Sequence, residues 1–167
     1  MNIINLLLKE LDVEIANTRK MLERIPNDKY DWQPHVKSMT VRRLATHLAD
    51  LPNWVAMTLN TAELDFQNND WKEEVVNNTD ELLAYFDRSV ANGKAALEEA
   101  RIEQLDEPWT LRSGEQIFIQ ATKYEMIRIS IGQIIHHRAQ MGVFLRLLNI
   151  PIPGPYGPSA DEMEFTV

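Results

Sequence analysis

The sequence predicts an all-α protein, a four-helix bundle with crossover connections and one small β-hairpin before the last helix. Three observations support this fold class. Four segments place apolar residues in steps of three and four, the spacing of an amphipathic helix. Capping and turn residues separate these segments. The connections after the second and third segments are long, which favours crossovers over simple up-and-down wiring.

The first two helices are predicted from apolar stripes. The first stripe stops at Pro26 and consists of Ile4, Leu8, Leu11, Ile15, Leu22 and Ile25. A loop with Trp32 and Pro34 follows, and Thr40 is the expected N-cap of the second helix. The stripe of that helix consists of Val41, Leu44, Leu48, Leu51, Val55 and Leu59. Because Pro52 deletes a backbone hydrogen bond inside the helix, we expect a kink one turn after His47.

The second half of the chain predicts two more helices and a hairpin. The polar stretch 65–78 is expected to be a long connection, and the third helix is expected to begin at Thr79. Its apolar face consists of Leu83, Phe86, Val90 and Leu97. Two short alternating runs around Ser113 and Gly114 predict the hairpin. A last helix is expected from about Lys123 to Leu148, before a tail too rich in Pro and Gly for regular structure.

Composition limits the functions that the chain can carry. Its 167 residues suit a single domain over 1–167 with a tail at about 150–167. A formal charge of −8 argues against nucleic acid as a partner, because such proteins bring Lys and Arg to the phosphates. No run is long enough to span a membrane, so we expect no membrane partner and a cytoplasmic location. Since the chain has no cysteine, any metal must be held by other side chains.

Two histidines are predicted on inward faces of different helices. His47 falls among Leu44, Leu48 and Leu51, while His137 and Gln133, one turn apart, border the apolar stripe of the last helix. Helix bundles build metal sites in this way. A buried histidine that only hydrogen-bonds to a carbonyl is the alternative from spacing alone. His136 and His35 are expected on the surface, although His35 could instead cover the site.

Other candidate residues have structural explanations. Arg138 points into the core stripe, where it would either anchor the YGPSADE tail or extend its guanidinium to solvent. Suitable carboxylates for it are Glu14, Asp50, Asp161 and Glu162. Asp50 is the only nearby candidate for a general base, and we expect it on the surface or behind the metal ligands. Motifs of phosphate loops, serine hydrolases and zinc proteases are absent, as are carboxylates at di-iron spacing.

Two segments resemble the DinB/YfiT-like superfamily. These are WQPHVKSMTVRRLATHLADLPNWV and HHRAQMGVFLRLLNIPIPGPYGPSADE, which cover about a third of the chain. The resemblance implies a four-helix bundle that is often a homodimer and that holds a divalent metal, zinc or nickel, through three histidines. His47 and His137 match two of these positions. Gln133 stands at the third, where this sequence departs from the pattern, and an amide is a weaker ligand than imidazole.

The resemblance also implies a class of activity. Characterised enzymes similar to this family include thiol-dependent transferases and isomerases. In them the metal lowers the pKa of a low-molecular-weight thiol, and the coordination site faces a pocket that the loop around His35 would roof. The expected function is therefore a metal-dependent thiol S-transferase acting on a small-molecule substrate. The alternative is a non-catalytic dimeric binding or stress-response bundle whose metal site is degenerate because of Gln133.

Overall fold

Four helices form the main body of the protein, in a computed structural model that describes residues 2–69 and 74–163. The helices are α1 Ile3–Leu22, α2 Val41–Asn60, α3 Thr79–Glu99 and α4 Lys123–Leu147. The three short strands are β1 Glu63–Asp65, β2 Pro108–Ser113 and β3 Gln116–Thr122. The predicted fold class is therefore confirmed. The expected connection over 65–78 lies partly outside the described residues, as do the last four residues of the tail.

Polar side chains begin each helix. The Thr40 hydroxyl accepts the Arg43 backbone N–H at 3.2 Å, as predicted for the N-cap of α2. Asn78, one residue before the expected start, caps α3. Thr122 and Glu125 form a reciprocal capping box at the start of α4. These caps satisfy backbone donors that a helix leaves unpaired, which fixes where α2 and α4 begin and so where their histidines lie.

The helices α1 and α2 lie diagonally opposite each other in the bundle, as do α3 and α4. Both α1 and α2 pack against α3 and α4, so the chain crosses the bundle diagonally after α1 and after α3, whereas the consecutive helices α2 and α3 are neighbours. The helix α2 is continuous through Pro52. At Gly93 the backbone of α3 approaches α2 so closely that an added Cβ would lie 2.3 Å from the Pro52 carbonyl oxygen. Only glycine fits at this crossing.

The hairpin belongs to a three-stranded sheet. The strands β2 and β3 pair antiparallel, with Gly114 in the turn at φ 57°, as predicted around Ser113 and Gly114. The sequence analysis missed β1, which pairs parallel with β2. Three residues provide too short a periodic signal, and their partner strand lies more than forty residues away. The sheet packs through Trp109 and Leu111 against Met126 of α4.

The buried faces of the helices form the core. In α1 the buried stripe is turned slightly from the predicted one and includes Leu7, Glu14 and Thr18, while Leu8 and Ile15 are only partly buried. In α3 the buried positions include Leu82 and Phe86, and Leu83 and Val90 are partly buried. No helix within residues 2–69 and 74–163 is both long and apolar enough to cross a lipid bilayer.

Arg138 anchors the tail, one of the two alternatives that its position in α4 left open. Its guanidinium is buried and pairs with the Glu14 carboxylate at 2.6 Å. It also donates to the Tyr156 hydroxyl at 2.7 Å, and that hydroxyl donates to Glu14. As expected, residues 151–163 contain no helix or strand. Hydrogen bonds to a buried ion pair therefore hold this irregular segment on the bundle.

Candidate metal centre

The three predicted ligands lie around one cavity. His47 projects from the middle of α2, where Leu44, Leu48 and Leu51 on the same side are buried. The rings of His47 and His137 meet edge to face, with their centroids 4.8 Å apart. A cavity of about 430 Å³ beside them is lined by His47, His137 and Gln133 together. The structure thus brings together two imidazoles and one amide from two helices that are not adjacent in sequence.

Burial sets the protonation state of both rings. Desolvation lowers the pKa of His47, and the neighbouring His137 lowers it further. Desolvation also lowers the pKa of His137, against an opposing hydrogen bond to Gln140. Both rings are therefore neutral at pH 7, and a neutral imidazole is the form that binds a metal ion.

Gln140 orients His137. The Nδ1 atom of His137 lies 2.7 Å from the Gln140 side-chain oxygen. Because an amide oxygen only accepts hydrogen bonds, Nδ1 carries the proton and donates, which leaves the Nε2 lone pair free. Metal-binding histidines commonly have such a partner on the nitrogen that faces away from the metal.

Of the two remaining histidines, His136 lines the cavity and His35 does not. His136 is exposed, as predicted, yet it also lines the cavity and its ring centroid lies 5.0 Å from that of His137. His35 is exposed too, and its Nδ1 accepts the backbone N–H of Lys37. In residues 2–69 and 74–163, no three His, Cys, Asp or Glu side chains form a group that could hold a metal ion. The candidate centre therefore depends on Gln133 for its third protein ligand.

The sheet, and not the loop around His35, completes the cavity wall. The lining includes Leu111 of β2 and Ile119 of β3, and no residue of the loop 31–39. The expectation of a roof built by that loop is therefore wrong. The hairpin leads directly into α4, so its inward side chains cover the stretch of α4 that carries Gln133. The alternation of β3 could have indicated an inward Ile119, but no local pattern shows which part of the bundle that side chain covers.

A second cavity of about 520 Å³ adjoins His47 and contains Asp50. Asp50 is buried, which excludes the surface and leaves the other expected position, behind the metal ligands. Its carboxylate accepts hydrogen bonds from the Tyr85 hydroxyl, from Trp54 Nε1 at 3.1 Å and from Asn53 Nδ2 at 3.1 Å. Burial and the hydrogen bond to Asp50 raise the pKa of Tyr85, so its hydroxyl stays protonated and donates.

Tyr85 and Asn53 were missed by the sequence analysis. Asp50, Asn53 and Trp54 are spaced by one helical turn in α2, which could have indicated that they contact one another. The contact with Tyr85 joins α2 to α3 across thirty-five positions of the chain. Nothing in the spacing of either helix predicts that contact, because it depends on how the two helices pack.

A family model and several solved structures that match this chain are described by the same family name. A model of the DinB family matches residues 1–166. A similar solved structure is that of a DinB-like protein from Bacillus subtilis, with 19% sequence identity and a TM-score of 0.68 over 95% of this chain and 99% of that one. A DinB-like protein from Bacillus cereus has 18% identity and a TM-score of 0.69 over 89% of this chain and 94% of that one. A conserved protein from Enterococcus faecalis has 19% identity and a TM-score of 0.67 over 89% of this chain and 98% of that one. At these identities the structural likeness shows the fold alone. No curated protein matches the sequence.

Proposed function

This chain belongs to the DinB family, and from that premise we propose that it binds a divalent metal ion, zinc or nickel, through His47 and His137 with Gln133 as third ligand. The observation that carries the proposal is the meeting of the two imidazole rings at 4.8 Å beside a cavity. Two neutral nitrogen ligands suit zinc and nickel, and the side-chain oxygen of Gln133 would supply a weaker third bond. Three protein ligands leave a coordination position open for another molecule.

The proposed activity is thiol S-transfer: the sulfur atom of a low-molecular-weight thiol would form a bond to an electrophilic carbon of a small substrate and displace a leaving group, which departs with the thiol proton. The chain has no cysteine, so the thiol must come from a separate molecule. A divalent ion in this centre would lower the pKa of such a thiol and make its thiolate available at neutral pH. Met126, Ile129 and Leu51 supply apolar walls in which the thiol and its partner could be held away from bulk water.

Metal titration tests the proposed centre. We expect zinc or nickel to bind the native protein with a stoichiometry of one per chain in calorimetry. The variants His47→Ala and His137→Ala should each weaken binding by at least about tenfold, since one imidazole is lost. The matched control is His35→Ala, because His35 is exposed and does not line the cavity. Equal affinity in all four proteins, or no binding by the native one, would refute the metal centre.

The second candidate function is a non-catalytic binding or stress-response bundle with a degenerate metal site. Gln133 favours it, since an amide contributes less to zinc affinity than imidazole. The variant Gln133→His separates the two candidates. Under the proposed metal centre, the native protein binds metal and the variant binds it more tightly. Tight binding by the variant alone would instead support degeneration of the native site.

We also propose a homodimer. The exposed faces of α1 and α4 carry apolar side chains, namely Leu6, Val13, Val143 and Leu147. Contiguous patches of exposed apolar side chains mark protein–protein interfaces, and the proposal assigns these four residues to one such patch. Sedimentation equilibrium should give twice the mass of the chain. A monomer mass at all accessible concentrations would contradict the proposal.

A further inference from the structure

We infer that the second cavity, between α2, α3 and residues 63–69, binds a small organic ammonium ion. The Asp50 carboxylate would bind the cationic nitrogen, and the aromatic side chains of Trp54, Phe66 and Tyr85 would surround it. This inference goes beyond the proposed metal centre and does not depend on it, because none of these four residues is a proposed ligand.

The first observation is that Asp50 has no cationic partner among residues 2–69 and 74–163. Three carboxylates are buried among residues 2–69 and 74–163, on Glu14, Asp50 and Asp65. Glu14 pairs with the Arg138 guanidinium at 2.6 Å, and Asp65 pairs with that of Arg112 at 2.8 Å. In the same described ranges Asp50 forms no ion pair. Burying a charge without a counter-ion is unfavourable, so this carboxylate is the one that a bound cation would neutralise.

The hydrogen bonds of Asp50 hold it in place without neutralising it. The donors are the Tyr85 hydroxyl, Trp54 Nε1 and Asn53 Nδ2, and all three are uncharged groups. The Asn53 amide also donates to Ser89 Oγ at 3.0 Å, which ties α2 to α3 behind the carboxylate. Asp50 is therefore rigidly placed in the cavity wall, and its negative charge is still available to a ligand.

The walls of the cavity suit an organic cation better than a hydrated metal ion. Trp54, Phe66 and Tyr85 contribute aromatic rings, of which the Tyr85 ring already has the Arg88 guanidinium 5.5 Å from its centroid, and Met57 and Leu64 add apolar surface. Aromatic faces attract cations through their quadrupole, most strongly where water is excluded. A metal ion would need several oxygen ligands, whereas Asp50 is the only carboxylate that lines this cavity among the described residues. An anion would be repelled by Asp50.

A pair of nearly isosteric probes tests the inference on the native protein. The ligands are 2-phenylethylamine, which is protonated at neutral pH, and the uncharged 2-phenylethanol. Calorimetry in the presence of a chelator keeps the measurement independent of the metal centre. We expect the ammonium ion to bind at least about tenfold more tightly than the alcohol, the amount that one desolvated charge and cation–π contact supplies. Equal affinities, or no saturable binding up to about 10 mM, would refute the inference.

Two variants locate the binding. Asp50→Asn removes the charge and nearly preserves the size of the side chain, so it should abolish the preference for the ammonium ion. Asp87→Asn removes the same charge from an exposed position of α3 that faces Arg19, and it should leave the preference unchanged. Circular dichroism establishes that each variant is folded. If Asp50→Asn is folded and still prefers the ammonium ion, the cation binds elsewhere and the inference fails.

Discussion

Replacing Arg138 with methionine should destabilise the protein by about 3–5 kcal/mol and release the tail from the bundle. The guanidinium forms an ion pair with Glu14 at 2.6 Å, and both side chains are almost inaccessible, at 2% and 6%. It also donates to the Glu14 backbone carbonyl at 3.1 Å and to the Tyr156 hydroxyl at 2.7 Å. Methionine fills much of the same volume but offers none of these bonds.

The size of this destabilisation follows from the Glu14 carboxylate that stays buried after Arg138 is replaced. The buried Glu14 carboxylate would lose its counter-ion, and an uncompensated buried charge typically costs about 3–5 kcal/mol. Replacing both partners removes that penalty, because a buried ion pair contributes little beyond an apolar pair of similar volume. The double variant Glu14→Leu, Arg138→Met should therefore be more stable than Arg138→Met alone. The Tyr156 hydroxyl can still reach solvent, since this residue is 62% exposed.

Urea unfolding followed by circular dichroism measures the stabilities, and limited chymotrypsin digestion measures release of the tail at Tyr156. We expect Arg138→Met to be cleaved faster than the native protein. A loss of less than about 1 kcal/mol with native cleavage rates would refute the reasoning. So would a double variant that is less stable than the single one.

Two further predictions concern helix packing and pH. Gly93→Ala should destabilise the protein by about 1–3 kcal/mol in urea unfolding, because its Cβ would lie 2.3 Å from a backbone oxygen of α2. Gly132→Ala, with nothing within 4 Å of the added Cβ, is the control and should not destabilise. Burial lowers the pKa of His47 and His137, so the unfolded chain binds more protons below its histidine pKa of 6.5. Stability should therefore fall between about pH 7.5 and pH 5.5, and an unchanged slope in the variant with glutamine at both positions would contradict this assignment.

The sequence predicted the parts of the fold that depend on local signals. Apolar spacing and caps placed the four helices, and Ser113 and Gly114 placed the hairpin turn. The strand β1 was not predicted, because it depends on parallel pairing with a distant strand. The orientation of α1 was slightly wrong for a related reason. Glu14 was one of four carboxylates expected to suit Arg138, but the apolar spacing of α1 does not show that this pairing buries Glu14.

In the candidate site, too, the features that depend on local spacing were predicted and those that depend on distant contacts were not. Spacing placed His47 and His137 on inward faces and Gln133 at the border of the apolar stripe; all three line one cavity, and Gln133 is exposed. The source of the cavity walls was not predictable, because the hairpin covers α4 only once the chain has folded. The hydrogen bond of Asp50 to Tyr85 was not predicted either, since it depends on the packing of another helix. Contacts between helices decide burial, and periodicity within one helix does not reveal them.

X-ray absorption spectroscopy of the zinc-loaded native protein tests the proposed centre most directly. The proposal predicts two imidazole ligands per zinc ion, with first-shell nitrogen and oxygen atoms at about 2.0 Å. Both imidazole signals should be lost in the double variant of His47 and His137 to alanine. A zinc spectrum without imidazole scattering in the native protein, or one unchanged in the double variant, would contradict the account.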